Sequence, residues 1–189
     1  MNDSPAARRH HHLVAAASLL LTAAASRLLP HPPNFTAVPA MALFAGAVLG
    51  RRWLAFVLPL AALLLSDLVL CATVYGFDAL SQVPASYAAM AGVVCIGQRL
   101  GRSSAGVATG AVAATALFFV VTNLAVWAFA GFYPRDLSGL VACYTAALPF
   151  AASMLLSTLV YGFALLGVWR AAERLWPSLR LEARRTELH

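Results

Sequence analysis

The chain has 189 residues, 61% hydrophobic and 11% charged, and its net charge of +6 comes wholly from arginine, since it contains no lysine. An ordinary soluble domain carries about 25% charged residues, so this composition excludes a soluble enzyme or nucleic-acid-binding domain and indicates one integral membrane domain. The arginines sit in short clusters between apolar runs, which is the pattern of membrane topology.

Residues 1–12 are polar and end in Arg8-Arg9-His10-His11-His12. They read as a cytoplasmic flank facing lipid headgroups, with metal binding by the three histidines as the alternative. The first apolar run covers residues 13–29 and meets Arg27 near its far end. Its basic start and Ala23-Ala24-Ala25 also resemble a signal peptide. The expectation is that this helix stays in the structure. Residues 30–36, PHPPNFT, form a proline-stiffened loop.

A second, short apolar run covers residues 37–50, with Gly46 and Gly50 at a spacing that lets another helix approach closely. Arg51-Arg52 marks a boundary. Then comes the stretch around which the rest of the chain is expected to be arranged, residues 53–75, WLAFVLPLAALLLSDLVLCATVY. As a helix it spans roughly 35 Å, enough to cross a bilayer core of about 30 Å. It carries one carboxylate, Asp67, and an ionisable group inside a span is a functional-site hypothesis. Cys71 and Tyr75 follow on the same face.

A turn-rich loop at 76–84 with Asp78 leads to a fourth span at 85–97, closed by Arg99 and Arg102. The fifth and longest, 105–130, ends with Thr122, Asn123, Trp127 and Phe129. The loop 131–138 holds Tyr133, Arg135 and Asp136. A segment at 139–150, interrupted by Pro149, leads into a last span ending near Trp169. The tail 170–189 is expected at the membrane surface. The fold class is therefore all-α, a polytopic bundle of about six transmembrane helices. It comprises a flank (1–12), a helical domain (13–169) and a basic cytoplasmic tail (170–189).

With six spans, eleven of the thirteen arginines fall on one side and only Arg27 and Arg135 on the other. That places both termini in the cytoplasm of a bacterial inner membrane. Nearly every polar group at membrane depth then faces outward: Arg27, His31, Asn34, Asp67, Cys71, Tyr75, Asn123, Trp127, Tyr133 and Tyr144. These are the candidate solute-binding residues. Most have a blander reading: an Arg27–Asp67 ion pair, an Asn123 inter-helix hydrogen bond, an aromatic belt at Tyr75, Trp127 and Tyr133, a solvated loop histidine at His31, and a small apolar filler at Cys71, for which a disulfide with Cys143 is a further alternative. There is no Walker A loop or dinucleotide fingerprint, and no cofactor or metal is expected. Without a paired carboxylate, HExxH or Ser/His arrangement, the chain is not expected to be an enzyme. Any energy must come from another protein or an ion gradient.

The stretches SRLLPHPPNFTAVPAMALFAG (26–46), FFVVTNLAVWAFAGFYP (118–134) and GLVACYTAALPF (139–150), with Leu65-Ser66-Asp67-Leu68, resemble an uncharacterised bacterial family of small membrane proteins. That family in turn resembles the substrate-binding S components of energy-coupling factor vitamin transporters. The resemblance implies a six-helix bundle with a vitamin-sized pocket near the outer surface and small-residue faces that dock a transmembrane coupling subunit with ATPases. Two positions depart from the expected pattern: Cys71-Ala72-Thr73 where a histidine is expected, and Thr158 where an aspartate is expected. A cobalamin-specific group of S components uses a cysteine on cobalt, so Cys71 brings cobalamin into the implied range. The resulting expectation is a subunit for uptake of a small solute, with no nucleic-acid partner. A structural or assembly subunit and a proton-coupled carrier are the alternatives.

Overall fold

Local chemistry sets the helix starts. Ser4, Ser103 and Asp136 accept hydrogen bonds from the backbone N–H groups of Ala7, Gly106 and Gly139, and Pro5 and Pro39 stand in first turns, where the missing N–H costs nothing. The computed structural model describes residues 4–50, 52–76 and 83–179. Six α-helices follow in order: α1 Pro5–Ala25, α2 Val38–Leu49, α3 Leu54–Leu70, α4 Val83–Leu100, α5 Ser104–Phe129 and α6 Leu137–Leu175. The chain is all-α among the described residues. A 3-10 turn, Ser26–Leu28, ends α1, and a π-helical turn, Cys71–Tyr75, extends α3.

Three stretches are long and apolar enough to cross a membrane, Leu54–Val74, Ser104–Phe129 and Leu137–Leu175, which is the pattern of a membrane protein. α2 is apolar but shorter. Large apolar side chains stand exposed along the spans, among them Leu65 and Val69 on α3, Val112 and Val120 on α5, and Val160 and Phe163 on α6. Lipid is the solvent such faces need.

The helix in the middle is α2 and not the 53–75 stretch. It packs against all five others, and ten of its twelve residues are buried. The physical reason is side-chain size. α2 is apolar on every side and small at Gly46 where α4 meets it, so it can be surrounded, whereas α3 turns several leucines outward. The closest approach is to α4. A Cβ on Gly46 would run into the carbonyl of Val94, and one on Gly97 into the carbonyl of Leu43. Gly50 has a different task. It ends α2 at a φ of 65°, in the left-handed region, and its carbonyl accepts from Gln98 Nε2 at 3.0 Å.

Several boundaries differ from the sequence reading: α4 runs beyond 85–97 at both ends, α6 continues past Trp169 to Leu175 into the expected tail, and two further differences change the organisation. The helix α1 begins at Pro5, so most of the expected polar flank is helical. His12 is buried there, its Nδ1 2.9 Å from the carbonyl of Leu179, its Nε2 3.4 Å from that of Val48, and its ring edge-on to Trp169 at 4.8 Å. The segments on either side of Pro149 are one 39-residue helix. Proline removes one backbone hydrogen bond, and a helix held along its flank tolerates that loss. The helix α5 supplies the support over a long stretch, from the Tyr144–Val120 contact to the approach of Gly162 to Val107. At about 58 Å, α6 outreaches a bilayer core. Its last turns carry Glu173, which ties Trp169 Nε1 (2.9 Å) to Arg102 (2.6 Å). Of the expected surface tail, Pro177–Leu179 forms a 3-10 turn with Leu179 buried. Residues 180–189, Arg51 and the 77–82 part of the loop with Asp78 lie outside the described residues.

Candidate functional site

Short connections make successive helices antiparallel, so α1, α3 and α5 finish at the end where α2, α4 and α6 begin. The predicted site residues belong to this end, but they fall into three groups. α3 packs on α1, α2 and α4, while α5 packs on α2, α4 and α6. The Asp67 face and the Asn123 face are therefore on different sides of the bundle.

The first group is a charge pair. Arg27, in the turn after α1, places Nη1 2.7 Å from Asp67 Oδ1 and 2.6 Å from Ser66 Oγ. Tyr87, from the first turns of α4, donates its hydroxyl to Asp67 Oδ2 at 2.9 Å. Ser66 passes its own proton to the carbonyl of Leu63 at 2.8 Å. The Arg27 and Asp67 side chains are only 16% and 15% exposed. Both carboxylate oxygens are thus engaged by donors from two other helical segments, which is what a charge at membrane depth requires. Cys71 is buried one turn beyond Asp67 and is a free thiol, as are Cys95 and Cys143, so no Cys71–Cys143 disulfide forms. The π-turn starts at Cys71, whose carbonyl accepts from Gly76 N–H at 3.0 Å. The Tyr75 side chain lies outside what the structure describes.

The second group lines an open cleft of about 110 Å³. Asn34 comes from the proline loop, Phe118, Phe119, Thr122 and Asn123 from α5, and Ala147, Phe150, Ala151 and Met154 from α6. The loop is docked and not free. Ser153 Oγ donates to the carbonyl of Pro33 at 2.9 Å, Phe35 meets Tyr161 at 6.1 Å, and Phe35 N–H closes a turn on Pro32. Asn34 takes a φ of 58°, a conformation asparagine tolerates better than most residues. Asn123 returns one amide hydrogen to the carbonyl of Phe119 at 2.8 Å, and Thr122 returns its hydroxyl to Phe118 at 2.8 Å. His31 is exposed in the same loop, its Nδ1 2.9 Å from the carbonyl of Pro32.

The third group fastens α5 to α6. Trp127 Nε1 donates to the carbonyl of Pro134 at 2.9 Å, and Tyr144 donates to that of Val120 at 2.7 Å while its ring meets Phe119 edge-on. Tyr133 is half-buried in the turn between them. Asp136 caps α6. Its carboxyl is held below the usual carboxylate range, first by the Gly139 N–H and then by the Ser138 hydroxyl. The two aromatic side chains with placed polar atoms thus spend those atoms on backbone carbonyls of the hairpin.

Sequence reasoning did not single out Ser66, Tyr87, Phe118, Phe119, Phe150 or Met154. Tyr87 carried a readable signal, a lone phenol near the start of an alanine-rich helix at the same end as Asp67. The phenylalanines looked like ordinary apolar filler, and only the docked loop makes them cleft walls.

No curated protein and no solved structure matches this chain. A family model does, over residues 7–179, nearly its whole length. The chain, all-α with three candidate membrane spans among the described residues, belongs to the family of unknown function DUF6580.

Proposed function

We propose that the chain is a solute-binding subunit of a membrane uptake system, similar in role to the S components of energy-coupling factor transporters, and that its solute sits in the Asn34–Asn123 cleft. One observation carries the reading: a docked proline loop closes one side of an apolar, amide-bearing cleft at the end of the bundle. Ligand sites are concave, mostly apolar and provided with a few polar groups, and this cleft has that make-up. In this reading all six helices are embedded, with α1, α2 and α4 as short or tilted spans in a bacterial inner membrane. Both termini are cytoplasmic, because that is where the arginine clusters fall. The cleft end then faces outward. A coupling subunit with its ATPases would supply the energy, and movement of the 30–36 loop would open the cleft.

The Arg27–Asp67–Tyr87 group favours a structural part for those residues within the same reading. Its donors and acceptors are matched, so it fixes α1, α3 and α4 relative to one another and leaves the solute to the other side of the bundle. Were the whole chain only a structural or assembly subunit, the cleft would bind nothing.

The test is a comparison of small molecules that copurify with the full-length protein and with its Phe118→Ala and Asn123→Leu variants, by mass spectrometry. At least one compound should be depleted in both variants while their helical circular dichroism stays native. Identical small-molecule profiles in folded variants refute solute binding in this cleft. Recovery of a coupling subunit and ATPases with the tagged protein would support the transporter assignment, and a proton-coupled carrier would instead take up solute after ATP depletion.

A further inference from the structure

We infer that the cleft selects an uncharged solute with a flat apolar body and an amide- or hydroxyl-type polar edge; this rests on the reading of the cleft as a solute site. The lining residues include no charged side chain. The two charges at membrane depth at this end, Arg27 and Asp67, hold each other 2.7 Å apart, and the Asp67 oxygen left over takes Tyr87. An ion entering the cleft would lose hydration with no counter-charge to replace it.

The apolar walls come from Phe118, Phe119, Phe150 and Met154, side chains that pack well against a ring. The polar groups are neutral and placed toward one side. Asn34 sits in the loop, and Asn123 spends one amide hydrogen on its own helix, leaving a carbonyl and a second N–H. Thr122 donates to Phe118 and keeps its oxygen as an acceptor. A solute edge that both donates and accepts satisfies this set, and a primary amide does so.

A second, independent observation lies one turn deeper. Thr115 is on the face of α5 that carries Phe118, Phe119 and Thr122, three, four and seven residues on. It is buried, and its hydroxyl has no hydrogen-bond partner among the described residues. The helical threonines Thr22, Thr73, Thr109, Thr122 and Thr158 each return their hydroxyl to the carbonyl four residues back; Thr115 and Thr145 do not, and of these two only Thr115 is buried. A buried hydroxyl without a partner is costly. A solute whose polar edge passes between the phenylalanines would satisfy it.

The experiment uses three probes with one ring and three charges: nicotinamide (neutral), nicotinate (anion) and 1-methylnicotinamide (cation). Equilibrium dialysis against the full-length protein in lipid nanodiscs reads their affinities. Nicotinamide should bind about tenfold or more tightly than either ion, since a difference of only about 1.4 kcal/mol in desolvation gives that ratio. Asn123→Asp should raise affinity for the cation, and Thr115→Val, nearly isosteric, should weaken nicotinamide binding severalfold. Either ion binding as tightly as nicotinamide overturns the neutral class but leaves the cleft a solute site. Failure of all three probes to bind overturns the flat-ring class, and the copurification comparison still judges solute binding separately. Unchanged nicotinamide affinity in Thr115→Val, with higher thermal stability, overturns the deep placement.

Discussion

Replacing Asp67 by asparagine removes a charge without changing shape, and its effect can be worked from the contacts. Breaking a buried ion pair from one side costs about 3–5 kcal/mol. Here the pair is slightly exposed, 16% and 15%, and the amide oxygen still accepts from Arg27. Tyr87 can rotate its hydroxyl and accept from the new NH₂ group. The expected loss is therefore lower, about 2 kcal/mol, mostly from an arginine deprived of its counter-charge. Arg27→Gln should cost a similar amount, because Asp67 then keeps only Tyr87. The double variant should cost little more than either single one, since the second change removes a charge already stranded. A coupling energy of about 1.5–2 kcal/mol follows. Unfolding titrations of the full-length protein in detergent measure all three variants. Costs that add to within about 0.5 kcal/mol would show that the pair is not an energetic unit. The same Asp67→Asn protein should retain its copurifying solute, because both oxygens of Asp67 are occupied by protein donors. A folded Asp67→Asn protein that has lost its solute would move the site from the cleft to the Asp67 side of the bundle.

Gly97→Ala should destabilise by about 1–3 kcal/mol, because its Cβ runs into the Leu43 carbonyl where α2 and α4 touch. Gly110→Ala, whose Cβ meets only methyl groups of Leu43 and Leu100, the nearest at 3.3 Å, should cost clearly less in the same unfolding titration. His12→Ala should cost about 2–4 kcal/mol, since it leaves a cavity against Trp169 and removes the ring N–H from beside the buried carbonyls of Leu179 and Val48, one of which it can serve. A change within the noise of that titration would show the ring to be dispensable. The Asp136 carboxyl is pulled below its ordinary value, so its contribution to the start of α6 is present above the ordinary carboxylate pKa and is lost as pH falls through the lowered one. The protection of the Gly139 N–H from hydrogen exchange, measured relative to its intrinsic rate at each pH, should therefore fall on acidification, and Asp136→Ala should make that protection low at every pH.

Much of the helical order was legible because apolar runs punctuated by arginine or proline are a strong signal. Residues 37–50 and 105–130 became α2 and α5 with ends shifted by about one residue. The misplacements have local causes. Pro149 read as an interruption because sequence shows the missing N–H but not the flank of α5 that supports α6. The histidines at 10–12 read as one polar block, yet helical rotation sends His12 inward while His10 and His11 stay exposed. For the site, depth along each helix was readable and azimuth was not. Asp67 and Asn123 belong to the same end, but a count of arginines cannot say which faces of α3 and α5 meet. The Arg27–Asp67 pair was anticipated among the blander readings, while its third partner, Tyr87, required the contact between α3 and α4.

The central position of α2 explains why charge and cleft are separate. A short helix that is apolar all round and small at Gly46 lets α4 close against one side and α6 pack against another. It keeps α3, which carries the only carboxylate in the interior of a described span, away from the hairpin of α5 and α6. The loop that leads into α2 then has two neighbours to serve. Its start, at Arg27, is anchored by charge to α3, and its later part, at Pro33, is anchored by one hydroxyl to Ser153 of α6. A segment held by a buried ion pair at one end and by one neutral hydrogen bond and the Phe35–Tyr161 ring contact at the other opens at the uncharged end, since a neutral bond contributes about 1 kcal/mol. Ser153→Ala should accordingly raise solute exchange from the cleft, read as faster loss of bound nicotinamide, and leave the Arg27–Asp67 coupling unchanged. If the two measurements move together, the loop responds as one rigid piece and the cleft opens by some other motion.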